Sequence, residues 1–198
     1  VVSSIGVLSS EVQPQLLCPL ILWPIVLGWQ RRLSARRAST LSGLAVLACG
    51  GVNATATVVA LLPTALFLVT RTGWWRDRLT WGWIVAVLAA TSWWLGPLIL
   101  MGRYAPPFLS WIETARIVAE PITLLDVFRG TTNWVGHLLT PGGPWWPAGF
   151  ELATSPVLIV LTAAVAALGL GGLALTSLPL RGFWWLLLVI GVLAMSLP

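Results

Sequence analysis

From Thr40 to Thr70 the chain runs for 31 residues without a charge, and arginines close both ends: Arg31, Arg32, Arg36 and Arg37 before it, Arg71, Arg76 and Arg78 after it. An uncharged apolar run of this length belongs in lipid, and arginine clusters are kept on the cytoplasmic side of a membrane. Both ends of the run then lie on one side. Two full crossings need roughly 40 residues, at about 20 each, so the run is too short to cross and return. It is expected to form a re-entrant pair of short helices turning at Gly50-Gly51-Val52-Asn53. Irregular backbone at such depth survives only when it is buried in protein or lines a water-filled cavity. A single long, tilted helix kinked at the glycines is the other reading.

Composition points the same way. Of 198 residues, 58% are hydrophobic and 9% charged, where a water-soluble domain carries about 25% charged residues. The basic residues are all arginine, and they sit at the ends of apolar runs rather than on one continuous face. This excludes nucleic acid as a partner and makes membrane lipids one. Further spans are expected at Gln15 to Trp29, Trp81 to Met101, Pro156 to Leu178 and Phe183 to Leu197. The expected organisation is an all-α integral membrane protein. Residues 1–101 form transmembrane helices with the re-entrant hairpin near 40–70, residues 102–155 form an extracytoplasmic helical loop, and residues 156–198 return to the membrane. Beginning at Val1 without Met, the chain reads as a piece of a longer membrane domain.

Several features carry less. Cys18 and Cys49 lie in apolar stretches and read as small buried hydrophobes, so no disulfide, metal site or cofactor is identifiable. Trp74, Trp75, Trp81, Trp83, Trp145, Trp146, Trp184 and Trp185 fall at segment ends, as in an interfacial belt. Trp93 and Trp94 fall in mid-span and read as helix packing or as a wall for a lipid chain or sugar. The span interiors hold no ionisable side chain, which argues against ion-coupled transport.

The loop concentrates the polar chemistry. It holds the single His, the single Tyr and the acids Glu113, Glu120, Asp126 and Glu151. Helical spacing from Phe108 to Glu120, closed by Pro121, predicts an amphipathic surface helix. Within it Glu113, Arg116 and Glu120 read as an ion-pair ladder, with Glu113 alternatively facing a polar substrate. Thr123 to Asp126 resembles a capping box, and Gly130 is placed to end the helix it starts. A third helix is expected from Thr131 or Thr132, carrying Trp134, His137 and Leu138, followed by turns from Thr140 to Gly149. Arg103 and Tyr104 stand at the outer membrane boundary, either as an interfacial anchor or as an arginine fork for a lipid phosphate. Trp111, Trp134, Trp145 and Trp146 offer stacking faces for sugars, and Arg116 and Arg129 are further candidate cations.

The strings GGVNATAT (50–57), WWLGPLILMGRYAPPFLSWIETA (93–115), RGTTNWV (129–135) and WPAGFELATSP (146–156) resemble the mycobacterial-type α-(1→3)-arabinofuranosyltransferases, GT-C class membrane glycosyltransferases. The resemblance runs in matching order over most of the chain. It implies a GT-C polytopic helical bundle that transfers arabinofuranose from decaprenyl-phosphate-arabinose to an arabinan acceptor, by α-1,3 branching of arabinogalactan and lipoarabinomannan. It implies work on the periplasmic face of an actinobacterial plasma membrane. It places the catalytic aspartate of such enzymes in a first periplasmic loop that this sequence does not contain, so the catalytic residue here is unknown.

The residues suit that chemistry. A polyprenyl-phosphate donor needs an apolar groove, a cation at the headgroup level and an external cavity. Inverting transfer needs a carboxylate base and charge stabilisation on the leaving phosphate. Two other readings share the groove and loop: a transporter or flippase subunit for polyprenyl-linked glycans, and a non-catalytic membrane scaffold whose host activity is indifferent to Glu113→Ala.

Overall fold

A computed structural model of the protein describes residues 2–51, 53–104, 122–175 and 177–196. They belong to two compact units divided at Ala105 and Pro106.

The first unit holds α1 (Val2–Trp29), α2 (Ala35–Ala48), α3 (Ala54–Val69) and α4 (Arg78–Tyr104), with a 3₁₀ turn at Trp74–Arg76. α1 passes through Pro14, Pro19 and Pro24 and starts well before the expected Gln15. The polar residues that marked that boundary are used within the fold: Gln13 Nε2 donates to the Ala48 carbonyl at 2.8 Å. This satisfies one of the carbonyls that the end of α2 leaves without an intrahelical donor.

The uncharged run divides into two helices, as its glycines require. Gly50 takes φ 68°, the left-handed conformation that stops α2. Asn53 then starts α3, its side chain accepting the Ala56 N–H at 2.9 Å. α2 and α3 both pack on α1, and α4 packs on α2. The C-terminal ends of α1 and α3 meet: Trp29 and Phe67 stack edge to face at 5.9 Å, and the Arg71 guanidinium lies 4.4 Å and 4.2 Å from the two ring centres. α2 and α4 begin at this same end, where Ser39 reaches the Leu79 carbonyl. The clusters Arg31–Arg37 and Arg71–Arg78 therefore share one end of the unit.

α2 and α4 run parallel along a seam of small side chains. A Cβ on Gly82 would meet Ser39 Oγ at 2.8 Å, and one on Gly43 would meet the Ala86 Cβ at 2.9 Å. Ser39 and Gly43 thus oppose Gly82 and Ala86, each pair four residues apart, the spacing that lets membrane helices approach closely. Ser42, fully buried beside this seam, donates to the Ile21 carbonyl at 2.7 Å and accepts from Trp83 Nε1 at 3.0 Å. Trp83 is therefore a core residue at 7% exposure rather than part of an interfacial belt. Its indole N–H can be buried because Ser42 accepts it.

The seam also sets the depth of the turn. Gly51 packs directly on Trp94, where an added Cβ would come within 2.7 Å. Trp94 lies about 24 Å along α4 at ~1.5 Å per residue, and α4 continues for about 15 Å beyond it. The turn thus stops short of the far end of α4, and Trp94 is the side chain against which Gly51 packs.

The second unit contains α5 (Leu124–Arg129), a 3₁₀ turn at Trp134–His137, a short hairpin of β1 (Leu139–Thr140) and β2 (Gly143–Pro144), then α6 (Pro147–Thr154), α7 (Pro156–Ala174) and α8 (Arg181–Ser196). α5 follows its capping signal closely. The expected third loop helix is only a 3₁₀ turn of four residues. Leu138 leaves it extended (ψ 119°), and Trp145 N–H returns to the Leu138 carbonyl at 3.1 Å, closing the hairpin. α6 lies where turns were expected, with Pro147 at its first position, where a missing N–H costs nothing.

Two helices among the described residues are long and apolar enough to cross a bilayer, α4 at 27 residues and α7 at 19. α7 has no fully buried residue within its unit, so its apolar surface is left for lipid or for protein beyond this chain.

Gly43→Val is expected to force α2 and α4 apart and to cost about 1–3 kcal/mol. Ser42→Ala should cost about 1 kcal/mol. Thermal unfolding of the detergent-solubilised protein should rank Gly43→Val below Ser42→Ala and both below the parent. An unchanged midpoint for Gly43→Val contradicts the seam.

Candidate functional site

The loop's polar residues converge on Asp126 and Arg129, which are 6% and 9% exposed. Thr123 caps α5. Its backbone N–H donates to Asp126 Oδ2 at 3.0 Å, its hydroxyl donates to the same oxygen, and it accepts the Asp126 N–H. Asp126 Oδ1 accepts from Thr131 Oγ1 at 3.0 Å and from Arg129 Nη1 at 3.1 Å. Gly130, at φ 71°, ends α5 so that Thr131 can turn back to this carboxylate. Four donors therefore fill the carboxylate's four acceptor positions.

Arg129 joins three elements. Besides Asp126, its Nε donates to Thr162 Oγ1 on α7 at 2.8 Å, and its Nη2 donates to the Leu152 carbonyl on α6. That carbonyl would otherwise accept from the N–H four residues on. The residue there is Pro156, which has none, so the guanidinium supplies the missing donor. A lone charge buried here would be costly, and the network offsets that cost by pairing and by a hydrogen bond from each of the three guanidinium nitrogens.

Burial alone pushes the Asp126 carboxyl up. The Thr123 hydroxyl and N–H, the Thr131 hydroxyl and the nearby His137 outweigh it and hold the group below the usual carboxylate range. His137 Nε2 lies 3.2 Å from the Thr131 carbonyl. An oxygen acceptor requires the proton on that nitrogen.

The candidate residues thus separate into two kinds. Arg129 and His137 are engaged within the Asp126 network. Trp145 remains 61% exposed on the hairpin. Trp146 packs its ring on Gly149, whose other side closes on the Gly136 backbone. Trp134 lies in the 3₁₀ turn. In the first unit, Arg103 and Tyr104 end α4 exposed, Tyr104 at 83%. Trp111, Glu113 and Arg116, with the ladder to Glu120, lie outside the described residues. Thr162 and the Leu152 carbonyl went unremarked in the sequence. The Asp–Arg spacing of three within a capped helix and the proline at 156 were the available signals.

These features define a polytopic helical membrane protein whose loop is tied to a spanning helix through one buried arginine. Residues 1–198 match the family model described as α-(1→3)-arabinofuranosyltransferase, N-terminal GT-C domain. The chain is similar to the α-(1→3)-arabinofuranosyltransferase of Mycolicibacterium smegmatis, 34% identical over 200 residues, covering 100% of this chain and 14% of the relative. Its similarity to the Mycobacterium tuberculosis enzyme of that name is 35% over 202 residues, covering 99% and 14%. A cryo-EM structure of the mycobacterial arabinofuranosyltransferase AftD superposes with a TM-score of 0.72 at 31% identity, over 95% of this chain and 13% of that one. The chain belongs to the GT-C α-(1→3)-arabinofuranosyltransferase family. It spans about one seventh of the length of these relatives.

The depressed Asp126 carboxyl gives a stability contribution with a definite sign. It is fully present above the unfolded carboxylate value of about 3.9 and is lost as pH falls through the lower folded value. Amide exchange over residues 123–131 should stay slow from neutral pH to about 5 and lose protection below about 4, beyond the intrinsic pH dependence of exchange. Arg129→Ala should open the same segment at every pH, by about 3 kcal/mol. Protection indifferent to both changes would contradict the network.

Proposed function

We propose that this chain is part of a membrane enzyme that transfers arabinofuranose from decaprenyl-phosphate-arabinose to arabinan acceptors of the cell envelope, forming α-1,3 branches. Family membership over all 198 residues carries this reading. The loop region 102–155 faces the extracytoplasmic water, and the arginine-bearing end of the first unit faces the cytoplasm.

In this reading Asp126 and Arg129 are positioning residues. A general base needs a free lone pair, and the Asp126 acceptor positions are filled. The base is therefore a carboxylate other than Asp126. Arg103 is the cation best suited to the donor phosphate. It is exposed, it ends an apolar helix at the far end from the arginine clusters, and its planar fork matches phosphate oxygens. Trp145 and Trp146, on the second unit, supply flat faces against which an acceptor sugar stacks; Tyr104 stands beside Arg103 with the donor, and His137 acts through the Asp126 network. Trp111, Glu113, Arg116 and Trp134 are proposed as further substrate-binding residues.

Arg103→Ala in the whole enzyme is expected to raise the donor KM by about tenfold or more, the worth of a charge-assisted hydrogen bond. The unfolding temperature should hold, because an exposed side chain at a helix end contributes little to folding. Arg103→Lys should restore part of the loss. An unchanged rate at sub-saturating donor removes Arg103 from the donor site.

A further inference from the structure

A groove of about 580 Å³ opens between α2 and α4 at the arginine-bearing end of the first unit. It is distinct from the loop, and the proposed transfer chemistry makes no use of it. Small side chains form its floor: Gly82 and Ala86 of the seam, with Ala35 and Ala89 beside them. Val85 and the Thr40 methyl extend the apolar wall. Arg36 and Arg78 line the mouth.

Positive charge is in excess at the mouth: Arg31, Arg32, Arg36, Arg37, Arg71, Arg76 and Arg78 gather at this end, against the single acid Asp77 in the segments that carry them. Among the described residues the single ion pair is Asp126 with Arg129, in the other unit. Asp77 accepts the Leu79 N–H at 3.1 Å, and its carboxylate answers the dipole at the start of α4. The positive end of the α2 dipole adds to the guanidinium charges. Two arginines over an apolar trough fit a molecule with an anionic head and a hydrocarbon tail. A neutral helix would leave both charges unanswered, and a soluble anion would leave the trough unfilled. A volume of this size matches one or two short stretches of acyl chain.

We propose that this groove binds an anionic phospholipid of the leaflet on the arginine side. The phosphodiester sits between Arg36 and Arg78, and an acyl chain lies along Val85, Ala86 and Ala89. Phosphate suits the pair because each guanidinium offers parallel N–H donors to two oxygens. The Thr40 hydroxyl is available to the glycerol ester oxygens. The bound lipid would fasten the α2–α4 seam at the end where the arginines repel one another.

The test uses the whole enzyme, delipidated in a neutral detergent and titrated with fluorescent phosphatidylglycerol or phosphatidylcholine. Phosphatidylglycerol should bind more tightly. Each of Arg36→Gln and Arg78→Gln should weaken it about fivefold, with the double variant near the phosphatidylcholine value. Ala89→Trp, which fills the exposed side of the trough, should weaken both lipids with both arginines present. Inorganic phosphate at millimolar concentration should leave lipid binding unchanged. Phosphatidylglycerol binding indifferent to the double variant overturns the proposal, as does a groove filled by another helix of the whole protein, which gives that same result. Full displacement by inorganic phosphate overturns it in favour of a free-anion site.

Discussion

The cost of taking a charge out of water governs this chain. An isolated ion moved into an apolar medium loses several kcal/mol even after relaxation, and the sequence spends its few charges accordingly. In the first unit the arginines from Arg31 to Arg37 and from Arg71 to Arg78 gather at one end, where α1 and α3 finish and α2 and α4 start. In the second unit one arginine goes inside. Arg129 is tolerated there because Asp126 neutralises it and because Thr162 and the Leu152 carbonyl each accept a hydrogen bond from it. That single arginine ties α5, α6 and α7 together.

The same constraint applies to backbone dipoles. The break after α2 interrupts the backbone ladder, and each side of the break is answered by a side chain. Gln13 reaches the Ala48 carbonyl from α1, and Asn53 receives the Ala56 N–H. Ser42 links α1, α2 and α4 through one hydroxyl. Close approach of α2 to α4, set by Ser39, Gly43, Gly82 and Ala86, brings Trp94 over Gly51. Trp94 thus packs against one side of the turn, while Gly51 keeps an exposed face.

Local chemistry was the legible part of the sequence. The break at Gly50, the capping box from Thr123 to Asp126 and the stop at Gly130 depend on neighbours within a few residues, and the structure has all three. What went unread depends on partners far along the chain. Trp83 has the composition of an interfacial residue until Ser42, 41 positions away, is placed against its indole. The partners of Arg129 on α6 and α7 lie 23 and 33 residues distant. Val135, Leu138 and Leu139 keep helical spacing after Trp134, yet the structure ends the turn at His137 because the hairpin claims Leu138 and Leu139. Among the site candidates, engagement in the Asp126 network separates Arg129 and His137, which hold the loop, from Arg103, Tyr104 and Trp145, which are exposed.

The proposed chemistry requires the loop and the arginine clusters to lie on opposite sides of the membrane. Labelling of single cysteines by a membrane-impermeant maleimide in intact cells tests this directly, using the whole protein with its native cysteines removed. Gly142→Cys, at the exposed tip of the hairpin, should react from outside, and Arg76→Cys should react only after permeabilisation. External labelling at Arg76→Cys with protection at Gly142→Cys would contradict a polyprenyl-fed sugar site on the outer face.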